Sequence, residues 1–416
     1  MNKKLGMAVA GAVMAFGASA ANAGITIPAG DWTIDIGGNV NAYYSNTRFD
    51  GILDNDVDGA PGGENANTIS TGLLPAALGI GGKTRQNDLD IAFQFTFFTG
   101  VDSNSEGTVG SGSGYYGGDL GQNNGAGGNS LNIRQAYMTF GDASWGTIKM
   151  GRDLGIFGSD AILSDMTLLG VGTGAGGNGS STLGRIGSGY IYADWVGQIA
   201  YHSPNWNGFS FAAAARQPWG NSDNSDIGFD AKVSYEWAGD VSGKVWVGGL
   251  HQKVDNSAAD PALFGASHDE DTVKMMEIGG KVSFGGLTLV GYYYDGEGAG
   301  LPVVVRGNTP ASGLGLWYGE YDVDGGYVQA TYTIPGIGTK VGASWGQSKI
   351  DQAGGDFKNE SWIVGAYHPL TKSLNLVAEY TDTDYDNVKV VNDVCPVGCS
   401  GNGGAKTISL GAIMFF

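Results

Sequence analysis

Apolar and polar residues alternate with a period of two along most of the chain, which is the signature of half-exposed β-strands. Residues 32–44 place Trp32, Ile34, Ile36, Val40, Ala42 and Tyr44 on one face. Thr33, Asp35, Asn39 and Asn41 lie on the other. Residues 88–97 set Leu89, Ile91, Phe93, Phe95 and Phe97 against Asp88, Asp90, Gln94 and Thr96. The clearest stretch is 227–237, where Ile227, Phe229, Ala231, Val233, Tyr235 and Trp237 oppose Gly228, Asp230, Lys232, Ser234 and Glu236. Residues 374–381 repeat the pattern, with Leu374, Leu376, Ala378 and Tyr380 on one side. The whole chain yields sixteen predicted strands, the first near 31–45, the second near 66–80 and the last near 405–416.

The connections carry more information than any single strand. Short links such as 142–145, 205–207, 285–286 and 370–372 alternate with long ones at 46–65, 100–129, 153–189, 255–272, 297–324 and 385–404. Segregated short and long connections predict a transmembrane barrel with short periplasmic turns and long extracellular loops, and a two-sheet sandwich gives no reason for them. An even strand count allows closure without an unpaired edge. The expected fold is therefore all-β, a 16-stranded antiparallel transmembrane β-barrel.

Composition agrees. Of 416 residues, 75 are Gly, which argues against helix-rich folds because a helical Gly costs roughly 1 kcal/mol relative to Ala. Aromatics at 11% are too many for a disordered acidic chain. The 41 acids against 22 bases make nucleic acid a poor partner. No stretch of about 18 apolar residues marks a spanning helix. The N-terminus carries Lys3 and Lys4, then the apolar run Leu5 to Ala18, then Ala21-Asn22-Ala23. That order reads as a cleaved signal peptide over residues 1–23, leaving 24–416 as one barrel domain.

The last strand puts Ile408, Leu410, Ala412, Met414 and the terminal Phe416 on one face. An amphipathic strand ending in an aromatic is similar to the signal read by the outer-membrane barrel assembly machinery. The two cysteines sit in Cys395-Pro396-Val397-Gly398-Cys399. In an exported chain they favour a loop disulfide over free thiols or a metal site. Asp54-Asn55-Asp56-Val57-Asp58-Gly59 matches the first half of a calcium loop. Asn65 at the twelfth position and Pro61 within break the helical version. Solvated acids and a loop-bound calcium on Asp54, Asp56 and Asp58 are the two readings, and no other cofactor is expected. The four histidines are scattered, and no nucleophile–base spacing, P-loop or zinc motif stands out, so no enzyme activity is expected.

Arg134-Gln135-Ala136-Tyr137, then Gly146-Thr147-Ile148-Lys149-Met150-Gly151-Arg152, then Tyr201-His202-Ser203-Pro204 with Gly208-Phe209-Ser210-Phe211 resemble the fourth-to-seventh strand region of Gram-negative general porins. The organisation matches over the whole chain after the leader, and the motifs match over about 130–216. The resemblance implies an outer-membrane homotrimer among lipid and lipopolysaccharide, passive diffusion of small hydrophilic solutes, and a third loop folded into the lumen. That loop would be 153–189, with Asp160 and Asp165 as constriction acids facing a basic cluster. Arg134, Arg152 and Arg216 are the basic candidates. Simple alternation points Arg134 and Arg216 inward. Arg152 falls on the lipid parity unless Gly151 hosts a bulge. Where the family pattern suggests a further wall base, this chain has Asp194 and Trp195, which thins the basic ladder. With Asp35, Asp88, Asp90, Asp230 and Glu236 as further lumen acids against Arg134, Arg152, Arg216 and Lys232, weak cation preference is the expectation. A substrate-selective channel and a non-transport barrel are the rivals. Selectivity would need a track of aromatics or a dense basic ladder inside the lumen, and most aromatics fall on the outward parity.

Overall fold

Period-two patterning gives strands only where both faces find a suitable partner, and here a single sheet supplies both. The computed structural model describes residues 24–51, 65–101, 132–173, 181–219, 226–254, 271–299, 321–351, 355–390 and 399–416. Its strands are β1 Ile25–Ala29, β2 Trp32–Gly51, β3 Asn65–Ser70, β4 Ala76–Gln86, β5 Leu89–Thr99, β6 Asn132–Asp142 and β7 Gly146–Leu154. A helix α1 (Ser159–Ser164) and a 3-10 turn (Met166–Leu169) follow. Then come β8 Trp195–His202, β9 Phe209–Arg216, β10 Gly228–Trp237, β11 Val241–Val254, β12 Asp271–Phe284 and β13 Leu287–Glu297. The last five are β14 Asp322–Thr333, β15 Lys340–Ile350, β16 Phe357–Pro369, β17 Leu374–Val390 and β18 Cys399–Phe415.

Apart from β3 and β4, which both pair with β2, each strand pairs antiparallel with the next, and β18 closes on β2 from Gly403↔Gly51 to Phe415↔Asn39. Phe416 extends the seam, exchanging backbone bonds with Gly38 at 2.9 and 3.1 Å. β1 is a short arm folded back on β2, with Ala29 opposite Trp32. β3 and β4 share one wall position, pairing with 43–48 and 33–39 of β2 respectively. Counted around the wall, the barrel therefore has 16 strands. Two-residue turns at 87–88 and 285–286 occupy one rim.

The two faces separate as the alternation predicts. Val40, Tyr44, Phe95, Phe229, Val233, Val247, Ile278, Val328, Ile408 and Leu410 are exposed on the outside. So much contiguous apolar surface on a closed barrel marks a lipid-facing belt. Trp195 is buried, its ring 5.6 Å from that of Phe98. The inside holds Asn39, Asn41, Ser45, Thr47, Ser234, Ser344, Ser348, Thr381 and Ser409, all buried. It also holds aromatics that the outward-parity expectation missed. Trp246, Tyr292, Tyr294 and Tyr327 point inward, with Tyr292 6.4, 6.2 and 5.9 Å from the other three rings. They pack against residues 155–173 and 181–194, which turn into the lumen: Tyr327 Oη donates to Ala161 O, and its ring lies 5.9 Å from that of Tyr190.

The expected second strand, 66–80, is interrupted at 71–75. Pro75 cannot donate to a ladder, and the freed backbone bonds elsewhere. Leu73 N donates to Gly170 O at 2.9 Å, and Gly72 O accepts from Thr182 N at 3.1 Å. A Cβ on Gly72 would lie 2.0 Å from Gly170 O, so only glycine permits this approach. The wall opens at the place where the inward segment docks.

Candidate functional site

The segment between β7 and β8 crosses the barrel interior, and its backbone donors must be satisfied there. Wall carboxylates do this. Asp230 on β10 accepts from Ile156 N at 2.9 Å and Phe157 N at 3.2 Å. Glu277 on β12 accepts from Gly158 N at 2.9 Å and from Tyr292 Oη at 2.9 Å. Glu379 on β17 accepts from Val171 N at 2.8 Å, Gly172 N at 2.7 Å and Tyr367 Oη at 2.6 Å. Gln329 on β14 accepts from Met166 N and donates to Ser164 O, at 2.8 and 2.9 Å. Tyr327 Oη donates to Ala161 O at 2.8 Å, and Tyr43 Oη to Leu169 O at 2.9 Å. Arg185, buried in the segment itself, reaches Ser344 Oγ at 2.5 Å and Ser361 Oγ at 3.0 Å. One polar fastening after another thus fixes the loop around the wall from β10 to β17 and on to β2.

Within this frame the two expected acids have different partners. Asp160 on α1 forms ion pairs with Lys232 and, at 2.7 Å, with Lys244. Its burial alone would raise its pKa, but the two ammoniums outweigh that and hold it down to about 2. Asp160 therefore stays ionised at neutral pH. Its ion-pair stabilisation is fully present above the ordinary carboxyl range and is lost only as pH falls through about 2. Asp165 turns back into the loop. It caps the 3-10 turn through Thr167 N at 2.9 Å, and its Oδ2 accepts from Tyr190 Oη at 2.8 Å and Arg185 N at 3.2 Å.

The arginines gather elsewhere. Arg134 lies inward, its guanidinium 4.9 Å from the centre of the Phe98 ring, although simple alternation is not the cause. Gln135 and Tyr137 hold the inward parity, and both are buried. The β5–β6 register slips between Thr96↔Gln135 and Phe97↔Ile133, so Arg134 is the extra residue of a bulge. At Arg152 the expected bulge is missing: Ala136↔Arg152 and Arg152↔Gly197 continue the ladders unbroken. Gly151 instead has φ of +127°, a conformation that glycine adopts freely. Arg216 is fully buried, 3.5 Å from Asp230 and stacked 4.9 Å from Trp219. All three arginines act electrostatically on Asp194, which is buried and accepts from Trp195 N at 2.6 Å. Burial raises the pKa of Asp194, opposed by that N–H and by Arg216, Arg152 and Arg134. The structure thus sets Asp194 and Asp230 among the arginines, and Asp160 among lysines.

Sequence reasoning missed the wall fastenings Glu277, Gln329 and Glu379, and the inward lysines Lys244, Lys281 and Lys340. All six share a signal: a long polar side chain on the inward parity of an otherwise clean alternating strand. Asp54, Asp56, Asp58 and Cys395 lie outside the described residues, as does the side chain of Cys399.

Residues 8–388 match the sequence pattern of the Gram-negative porin family. The chain belongs to this family. The solved structures it resembles include an anion-selective porin from Comamonas acidovorans, with a TM-score of 0.61 and 15% identity over 92% of this chain and 100% of that one. OmpF of Salmonella typhi, solved with daunomycin, gives 0.59 and 19% over 94% and 100%. In-vitro folded OmpT of Vibrio cholerae in its trimer form gives 0.55 and 14% over 92% and 99%. No curated protein sequence matches. The barrel is an outer-membrane channel, and the apolar belt is the face this porin turns to lipid. Val247→Arg, at the middle of β11, should therefore destabilise folding into bilayers by about 2–4 kcal/mol. Urea titration in lipid vesicles measures it, and a cost within the ~0.5 kcal/mol of an ordinary surface change would contradict this placement.

Proposed function

We propose that this porin is a general diffusion channel: a water-filled homotrimeric pore for small hydrophilic solutes and ions, weakly cation-preferring and without enzymatic activity. The observation that carries the reading is the inward loop, fastened by Asp230, Glu277, Gln329 and Glu379 to the inner wall of a closed barrel. A loop so held narrows a lumen permanently, which suits sieving by size. A substrate-selective reading would draw on the inward aromatics. Those rings are buried under the loop, however, and offer solutes no track. The trimer form of the Vibrio cholerae relative supports a trimer here, and residues 1–23 act as the export leader.

Cation preference draws on the excess of acids: the formal net charge of −19 becomes −21 once the leader with Lys3 and Lys4 is removed. Counter-ions concentrate near such a charge within a screening length of about 10 Å at 0.1 M salt. The inward bases oppose it, so the preference is small. Planar-bilayer recording across a KCl gradient tests both parts. Expected are conductance steps in groups of three and a small reversal potential of cation-selective sign. Silent bilayers would refute the channel, and an anion-selective sign would refute the preference. Asp160→Asn should move the reversal potential towards anions, because it removes the carboxylate that Lys232 and Lys244 share.

A further inference from the structure

We propose that Lys244, Lys281 and Lys340 form an oxyanion-binding station in the lumen, on the short-turn side of the inward loop, where phosphate- or carboxylate-bearing solutes pause. The proposal rests on the channel reading above. Lys244 and Lys281 are direct partners in the β11–β12 register, and both lie on the inward parity of their strands. Like charges placed opposite each other repel unless a counter-charge joins them. Lys244 has such counter-charges, Asp160 at 2.7 Å and Glu236 at 3.2 Å. Lys281 makes no hydrogen bond or ion pair among the described residues, although it feels both Lys244 and Asp160. Lys340 feels Lys281 and, from the other sign, Glu379 and Asp165, the latter already bonded to Thr167 N, Arg185 N and Tyr190 Oη, and its ammonium sits 4.5 Å from the centre of the Tyr367 ring.

Position supports the same reading. On β12, Lys281 follows the loop-fastening Glu277 by one turn of the alternation beyond Gly279. On β15, Lys340 precedes Ser344, the partner of Arg185, by the same step. Both lysines therefore lie on the short-turn side of the residues that fasten the loop, Lys281 in the ladder row of Ser344 and Lys340 four residues further along β15. The nearby carboxylates are committed elsewhere. Asp160 holds Lys232 and Lys244, and Glu379 spends its oxygens on Tyr367 and on the N–H groups of Val171 and Gly172. Two half-buried ammoniums are left short of both water and counter-charge. A transient oxyanion supplies both, through charge-assisted hydrogen bonds.

The test is single-channel recording in dilute KCl with inorganic pyrophosphate added to either side, and citrate in a parallel series. The wild type should show interruptions that lengthen the blocked fraction with pyrophosphate or citrate concentration and fade at high salt. Lys281→Gln with Lys340→Gln should weaken this block at least about tenfold, since each lost charged hydrogen bond is worth roughly that much. The paired Arg variants keep the charge and should keep the block, and they show that the site tolerates substitution. Pyrophosphate acting alone assigns the station to phosphates, and citrate acting alone assigns it to carboxylates. Channels that carry KCl yet ignore both anions, or Gln variants blocked like the wild type, would overturn the station only. A protein that opens no channel at all would overturn the channel reading itself.

Discussion

Glu379→Ala should release the far end of the inward loop and destabilise the barrel by about 3–5 kcal/mol. The carboxylate of Glu379 receives three donors inside the protein: Tyr367 Oη, Val171 N and Gly172 N. Alanine leaves all three buried without an acceptor, and each such orphan costs about 1–3 kcal/mol before water re-enters. Water entering the vacated space recovers part of this. The loop, no longer held at Gly172, should wander into the lumen. Urea unfolding should show the loss of stability, and single-channel records should show a noisier open level. Glu379→Gln keeps an acceptor oxygen for the two N–H groups and should recover about half of the effect. Quiet, wild-type-like currents from Glu379→Ala would mean that the loop's other fastenings suffice.

The second large effect is expected at the opposite end of the loop. Asp230→Ala removes the partner of a fully buried arginine and the acceptor of Ile156 N and Phe157 N in one step. Breaking a buried pair from one side costs about 3–5 kcal/mol, because the remaining charge is left uncompensated. Arg216 should then add its full charge to the cluster around Asp194, so the reversal potential should move towards anions as stability falls. Removing both partners, Asp230→Ala with Arg216→Met, should be markedly less harmful than Asp230→Ala alone. If the double variant is the weaker, the pair is not what stabilises this site. Thermal unfolding of the three variants in detergent decides it.

The barrel was legible in the sequence because alternation is a local property. At 227–237, Phe229 and Val233 face out and Asp230 and Ser234 face in, as their order along the chain requires. The constriction was less legible because its contacts join distant residues. Ile156 and Asp230 are 74 positions apart, Gly158 and Glu277 are 119 apart, and Val171 and Glu379 are 208 apart. No spacing rule links such positions. Arg134 shows a subtler limit. Counting residues pointed it inward for the wrong reason, since the parity assumed for β6 was reversed and the bulge restored the outcome. Asp194 looked in sequence like a missing wall base. In the structure it is buried within electrostatic reach of Arg216, Arg152 and Arg134.

The loop between β7 and β8 is also a brace across the seam where the first and last wall strands meet. On one side of that seam it is bonded to Tyr43 and to the gap at Gly72. On the other it is bonded to Glu379 and, through Gly172 O, to Thr381 Oγ1 at 3.0 Å. Its sequence is complete before half of the chain has been made, yet its final bonds need strands from both ends of the chain. The loop can seat fully only once β2 and β17 are both in place. Its full set of fastenings is thus a property of the complete wall, and the pore's working width is set by strands from both ends of the chain at once.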